Sequence, residues 1–172
     1  MSNNIEVVQI VARSSNNVIG NGDKIPWKIV GDLQYFKENT LNQVCIVGRK
    51  TYETIKHLKG RKFIVLSRNE VTRVEDGVIY ARDIDTAIAM AKINTFLNNK
   101  TRVLIIGGAE IYRLSMETSQ RLLVTEVDIE VDGDATYEIP DCFKLVNESE
   151  AIHEGEYSYK FTEYERIPLN NK

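Results

Sequence analysis

A chain of 172 residues is long enough to bury one real core, and its length argues for a single domain over 1–172 rather than two. With 42% apolar and 27% charged residues the composition is that of an ordinary globular domain. The 22 Lys and Arg against 25 Asp and Glu leave a formal charge of −3, which argues against a general binder of nucleic acid or anionic membrane. The first residues, Met1 to Glu6, hold neither the basic stretch nor the apolar run that opens a secretory signal, and no apolar run approaches the length of a membrane span. A cytoplasmic protein is expected. Short runs rich in Val and Ile near 5–13, 44–48, 62–67, 77–81, 102–107 and 121–127 predict strands buried on both faces. Helical spacing fits between them near 32–39, 51–57, 84–97 and 109–118. In the third of these, Ile84, Ala87, Ile88 and Ala91 share a face and Asp83 is available as N-cap. Alternation of this kind predicts a largely parallel α/β sheet. Near the end, residues 142–149 and 156–166 flank His153-Glu154-Gly155, a turn candidate, and Tyr157, Tyr159 and Phe161 alternate with polar residues. An antiparallel hairpin on the sheet edge is predicted there. Asn170, Asn171 and Lys172 are expected to fray.

Asp32 is the most informative residue. At about 100° per residue, Phe36 falls ~40° and Ile29 ~60° to one side of it, with Tyr35 ~60° to the other. The acid sits in an apolar stripe. One reading is a first-turn Asp facing the helix dipole; the other is a perturbed carboxyl placed for chemistry. The helix alone does not choose between them.

Ligands of open α/β sheets bind beyond the carboxyl ends of the strands, and three predicted strand ends carry anion-binding residues. Gly48-Arg49-Lys50-Thr51 offers two cations and a hydroxyl, Ser67-Arg68 a hydroxyl and a guanidinium, and Gly107-Gly108-Ala109 a backbone a ligand can approach closely. Each alone is a common surface pattern. Three in register on one edge point to a phosphate-rich cofactor, a dinucleotide, although neither G-x-G-x-x-G nor the P-loop pattern is present. Asp128-Ile129-Glu130-Val131-Asp132-Gly133 begins like a calcium loop, but its twelfth position is Ile139, so it reads as an acidic surface loop. Cys45 and Cys142 lie far apart with no CxxC or Cys/His pairing; they read as reduced structural thiols, and no metal is expected. His57 and His153 are isolated and read as surface residues.

With these pieces assembled the chain resembles the dihydrofolate reductase family, of bacterial or phage type, over almost its whole length. Val18-Ile19-Gly20, Ile25-Pro26-Trp27, Asp32-Leu33-x-x-Phe36-Lys37 and Gly48-Arg49-Lys50-Thr51-Tyr52-Glu53 come in the family's order and spacing. So do Gly60-Arg61-Lys62, Leu66-Ser67-Arg68, Ile106-Gly107-Gly108-Ala109-x-x-Tyr112 and Thr125. The resemblance implies a three-layer α/β fold: a central, mostly parallel eight-stranded sheet with a C-terminal antiparallel hairpin and about four helices. It also implies a monomer that reduces dihydrofolate to tetrahydrofolate with NADPH for one-carbon metabolism.

Carried over residue by residue, the resemblance makes Asp32, Trp27, Thr125 and Tyr112 the catalytic group. In it Asp32 holds the pterin, Thr125 supports Asp32 and Tyr112 lies near the nicotinamide. Val11, Ala12, Ile25, Leu33, Phe36, Ile55 and Ile106 would line the substrate pocket, and Arg61 would pair with the glutamate tail of folate. Ala12, Ile19, Gly20, Gly48, Arg49, Lys50, Thr51, Leu66, Ser67, Arg68, Gly107, Gly108, Ala109, Glu110 and Ile111 would hold the cofactor, with Ser67 and Arg68 at its 2′-phosphate. Residues 20–29 would form a mobile loop over the site. The chain departs from common family patterns at Ile25, Tyr35 and Ala109, where methionine, tryptophan and a third glycine often stand. Two other readings are a riboflavin-pathway reductase acting on a ribosylated pyrimidine, against which the Trp27/Asp32/Arg61 set argues, and a non-catalytic nucleotide-binding relative.

Overall fold

Strand β1 (Glu6–Ser14) runs through the middle of the protein, and Val7, Val8, Ile10 and Val11 are all buried, as in a strand covered on both faces. The structure is a computed structural model and describes residues 4–22, 25–69 and 71–169. Along the chain β1 is followed by β2 (Val18–Gly20), α1 (Val30–Thr40), β3 (Val44–Gly48), α2 (Arg49–Ile55) and β4 (Lys62–Leu66). Then come β5 (Arg73–Glu75), β6 (Val78–Ala81), α3 (Ile84–Leu97), β7 (Arg102–Ile105) and α4 (Ala109–Ser115), which runs into a 3-10 turn, Met116–Thr118. The chain ends in β8 (Arg121–Val127), β9 (Ala135–Thr136), β10 (Phe143–Glu148), β11 (Ile152–Glu154) and β12 (Tyr157–Arg166).

The main sheet has the order β10-β12-β8-β1-β7-β3-β4-β6-β5, with β11 also paired to β12. Pairing is parallel from β8 through β1, β7, β3 and β4 to β6, and antiparallel at both margins. Among the described residues it therefore holds ten strands rather than eight. The two extra, β5 and β11, are three residues each, too short to show an alternating pattern. The C-terminal turn also moves. Glu154 pairs with Tyr157, so Gly155 and Glu156 form a two-residue turn, with Gly155 at φ +60°, and His153 lies within β11. A separate pair, β2 with β9, was not legible in strands this short.

Residues alternate faithfully across the sheet. Val44, Ile46, Ile64, Val103 and Ile105 face α3 and α4 through Ala87, Ile88, Ala91 and Ile111. Cys45, Val47, Phe63, Val65 and Leu104 face Tyr35 and Phe36 of α1 and Tyr52 and Ile55 of α2. The result is the predicted three layers. Asp83 caps α3 as expected, accepting from Thr86 N at 2.8 Å. Both cysteines are free: Cys45 is fully buried, which pushes its thiol up to about 12, whereas Cys142 is exposed and accepts from Arg166 Nη1 at 3.4 Å. His57 and His153 are on the surface. No described helix is long and apolar enough to cross a membrane. The positions expected to fray, 170–172, lie outside the described residues.

Candidate active site

The sheet leads from β1 to β3 in sequence, yet β7 lies between them in space. A crevice opens at the carboxyl ends where strand order switches in this way. Here the ends of β1, β3, β4 and β7 border a cleft of about 900 Å³, closed on its flanks by α1, α2, α4 and the segment around β2.

One half of the cleft is apolar. Val11 and Ala12 come from β1, Leu33 and Phe36 from α1, Ile55 from α2, Ile106 from the end of β7 and Ile25 from the loop before α1. Asp32 is the acid among them. Its Oδ1 accepts from Thr125 Oγ1 at 2.8 Å, and Thr125 is buried on β8. Burial pushes the Asp32 carboxyl above its usual range, and the Thr125 hydrogen bond partly opposes that shift. Tyr112 reaches the cleft from α4, but its hydroxyl donates to the Ile10 carbonyl at 2.7 Å, and burial and the nearby Asp32 charge raise its phenol.

The other half is polar and basic. Arg49, Lys50 and Thr51 lie in the first turn of α2, which starts two residues earlier than the spacing predicted. Gly48 precedes them, its N–H bonded to the Gly107 carbonyl at 2.8 Å. Leu66 ends β4, and Ser67 and Arg68 follow it, with Ser67 buried and Arg68 exposed. Arg68 Nη2 donates to both oxygens of Glu110, at 3.0 and 3.1 Å. Gly107, Gly108, Ala109, Glu110 and Ile111 complete this wall, and Ile19 and Gly20 border it from β2. Gly107 has φ +118°, a region side-chain-bearing residues rarely enter, beside the Tyr112 ring.

Three singled-out residues do not line the cleft. Thr125 stands behind Asp32. Trp27 is buried with Ile29, Val127 and Tyr159, against the cleft residue Ala12. Arg61 lies outside the cleft wall, its guanidinium 5.9 Å from the centre of the Phe36 ring, while Nε donates to Thr40 and Nη1 to the Lys59 carbonyl. Within the 20–29 loop, 23 and 24 lie outside the described residues. Ile10, Gly22, Thr54, Leu58, Asn69 and Ala135 also border the cleft and were not singled out. Thr54 lies one helical turn beyond Thr51 and could have been found by spacing; Ala135 arrives through the β2–β9 pairing, which leaves no local mark. Among the described residues no group of three or more His, Cys, Asp or Glu could hold a metal ion.

The sequence matches the dihydrofolate reductase family over residues 6–166. It is 36% identical to the type 15 dihydrofolate reductase of Escherichia coli over 152 residues, covering 88% of this chain and 94% of that relative. It is 42% identical over 130 residues to a dihydrofolate reductase of Buchnera aphidicola, covering 74% and 76% of the two chains. A similar solved structure is the Enterococcus faecalis dihydrofolate reductase complexed with NADP(H) and RAB-propyl, with TM-score 0.79, 25% identity, and 94% and 96% of the two chains covered. A match of this extent, on a fold whose cleft gathers a half-buried acid and three cations, means that the chain belongs to the dihydrofolate reductase family of oxidoreductases.

Proposed function

We propose that the cleft reduces 7,8-dihydrofolate to 5,6,7,8-tetrahydrofolate with NADPH, adding hydride at pterin C6 and a proton at N5. The observation that carries this reading is Asp32: a carboxyl with raised proton affinity, held at 2.8 Å by Thr125, bordering an apolar slot that continues into a basic wall. The donor set fits a phosphate-bearing dinucleotide, because Arg49, Lys50 and Arg68 gather on one side of the cleft in a chain of net charge −3. Arg49, Lys50 and Thr51 would hold its phosphates, Ser67 and Arg68 the 2′-phosphate, and Gly107 to Ala109 the pyrophosphate path. When bound, NADPH supplies the hydride.

The chain's own residues bind, orient and manage the proton. Oδ1 of Asp32 is engaged by Thr125, which leaves Oδ2 for the amidine-like edge of the pterin. Val11, Ala12, Leu33, Phe36 and Ile55 hold the pterin and benzoyl rings in an apolar slot that excludes water. There Asp32 polarises the pterin, and its raised proton affinity suits it to favour protonation at N5 through water. Arg61, over Phe36, would meet the glutamate tail with the nitrogen not already donating to Thr40 or Lys59. Trp27 supports the Ala12 side of the slot from behind. A monomer working in the cytoplasm is part of the same proposal.

The test is spectrophotometric. Purified protein should oxidise NADPH only when dihydrofolate is present and yield tetrahydrofolate. Absence of turnover, or turnover with a ribosylated pyrimidine instead, overturns the reading.

A further inference from the structure

Helix α1 begins without a local cap. Ile29 precedes it and supplies no side-chain acceptor, although the first N–H groups of a helix need one. The acceptor comes from the far end of the chain. Glu154, the last residue of β11, accepts from Val30 N at 2.7 Å through Oε2 and from Gly31 N at 3.0 Å through Oε1. The Tyr159 hydroxyl donates to the same Oε1 at 3.4 Å. Glycine at 31 permits this approach, since a Cβ there would collide with the Tyr159 hydroxyl. The next residue is Asp32. Two more contacts seat the helix on β12 and its neighbour β8. The Tyr35 ring stacks on Phe161 at 4.0 Å, and Asp32 meets Thr125, the residue paired with Phe161 across β8 and β12.

From this clamp we infer that Glu154 is a positioning residue for Asp32: its carboxylate fixes the first turn of α1 and offsets the positive end of that helix beside the acid. The inference rests on reading Asp32 as the acid that meets the pterin. An uncompensated helix N-terminus stabilises a first-turn carboxylate. With Glu154 in place that pull is offset, and burial is left to set the raised proton affinity of Asp32. The two backbone N–H groups hold Glu154 itself below its usual range, so it is charged at neutral pH. Among the described residues, the other titratable groups that feel the Asp32 charge are phenols: Tyr35 on its own helix, Tyr112 on α4 and Tyr159 on β12, which also faces Glu154. All three are pushed upward and stay neutral across the working range.

The test uses Glu154→Gln, which keeps the shape and removes the charge, and Glu154→Ala, which removes both. Glu156→Gln, at the exposed neighbour in the turn, is the control. Thermal melting checks the fold, fluorescence titration reads NADPH binding, and kcat and KM for dihydrofolate are followed across pH. NADPH affinity is expected to be unchanged in all three. In Glu154→Gln the apparent pKa of the kcat/KM profile should fall by roughly half a unit to one unit, the scale of a helix-terminus charge. At neutral pH kcat/KM should then drop about 3- to 10-fold. Glu154→Ala should add a rise in KM, and Glu156→Gln should match the parent. A folded Glu154→Gln with the parent's profile and kcat/KM overturns the role of Glu154. A parent protein that turns over no dihydrofolate overturns the reading of the cleft, and this inference with it; the parent alone tells the two failures apart.

Discussion

Asp32→Asn separates what the acid does for chemistry from what it does to stability. Asn keeps the volume and an oxygen to accept from Thr125 Oγ1, which lies 2.8 Å from Asp32 Oδ1, so the change removes a charge and a proton site and little else. Burial is the leading cause that raises the Asp32 carboxyl. The native state therefore binds that proton more tightly than the unfolded chain does. By linkage, the stability Asp32 contributes is full below the ordinary carboxyl range and is lost as pH rises through its raised native value. At neutral pH the parent protein carries a buried-charge penalty that the variant lacks. The variant should melt higher at pH 7, with the gap closing in acid; each kcal/mol relieved is worth about 2–4 °C for a chain of this size. Activity should move the other way. Loss of a positioned acid–base group slows its step by ~10²–10⁴-fold, or about 2.7–5.4 kcal/mol of barrier, and the deficit should shrink as pH falls and solvent protonates the substrate directly. Pre-steady-state hydride transfer with deuterated NADPH reads the step, and calorimetry at several pH values reads the stability. Near-parental hydride transfer at neutral pH would return Asp32 to a plain first-turn acid. A variant that melts lower at pH 7 would refute the burial argument.

Three other substitutions test other parts of the protein. Arg61→Leu should raise KM for dihydrofolate by about 10- to 100-fold, the value of a charge-assisted bond, and spare a pterin without the glutamate tail; equal loss for both makes Arg61 structural. Arg68→Ala should weaken NADPH by roughly tenfold or more and leave NADH alone in a fluorescence titration; equal weakening of both cofactors removes Arg68 from the 2′-phosphate. Tyr137→Phe deletes the hydroxyl that donates to Gln9 Oε1 at 2.8 Å and leaves a buried acceptor unpaired. The cost should be about 1–3 kcal/mol in urea unfolding, and an unchanged midpoint would show that the acceptor finds another partner.

The parts of the fold that read directly from sequence are those with local causes. Val44 to Val47, Phe63 to Leu66 and Val103 to Ile105 are buried on alternate faces, so unbroken apolar runs marked them as central strands. The α3 cap was visible because Asp83 and Thr86 are neighbours. What was not legible depends on partners far away. Gln9 sits at the centre of β1, where polarity looks misplaced. Its amide donates to the Tyr112 carbonyl and to Ser115, while its oxygen accepts from Tyr137, so three residues from two later segments satisfy one side chain. Likewise β2 finds its strand partner in β9, more than a hundred residues on.

The same division runs through the site. Arg49, Lys50, Ser67, Arg68, Gly107 and Gly108 were legible because each follows directly from a strand end, and a parallel sheet brings its strand ends to one edge. The character of Asp32 was not legible, because little of it belongs to α1. Spacing placed Ile29 and Tyr35 around the acid, but the helix begins only after Ile29, and its first turn forms at Val30 because Glu154 reaches it. Thr125 sets the bond that Asp32 accepts, and Phe161 seats Tyr35 against the neighbouring strand. A carboxyl that must stay partly buried carries a standing penalty, and a helix free to shift would relieve it by turning the acid toward water. The C-terminal strands prevent that. They hold the first turn by its backbone, the second by an aromatic stack and the acid by a hydroxyl. The hairpin at the end of the chain is thus part of the apparatus that keeps Asp32 in an environment it would otherwise leave.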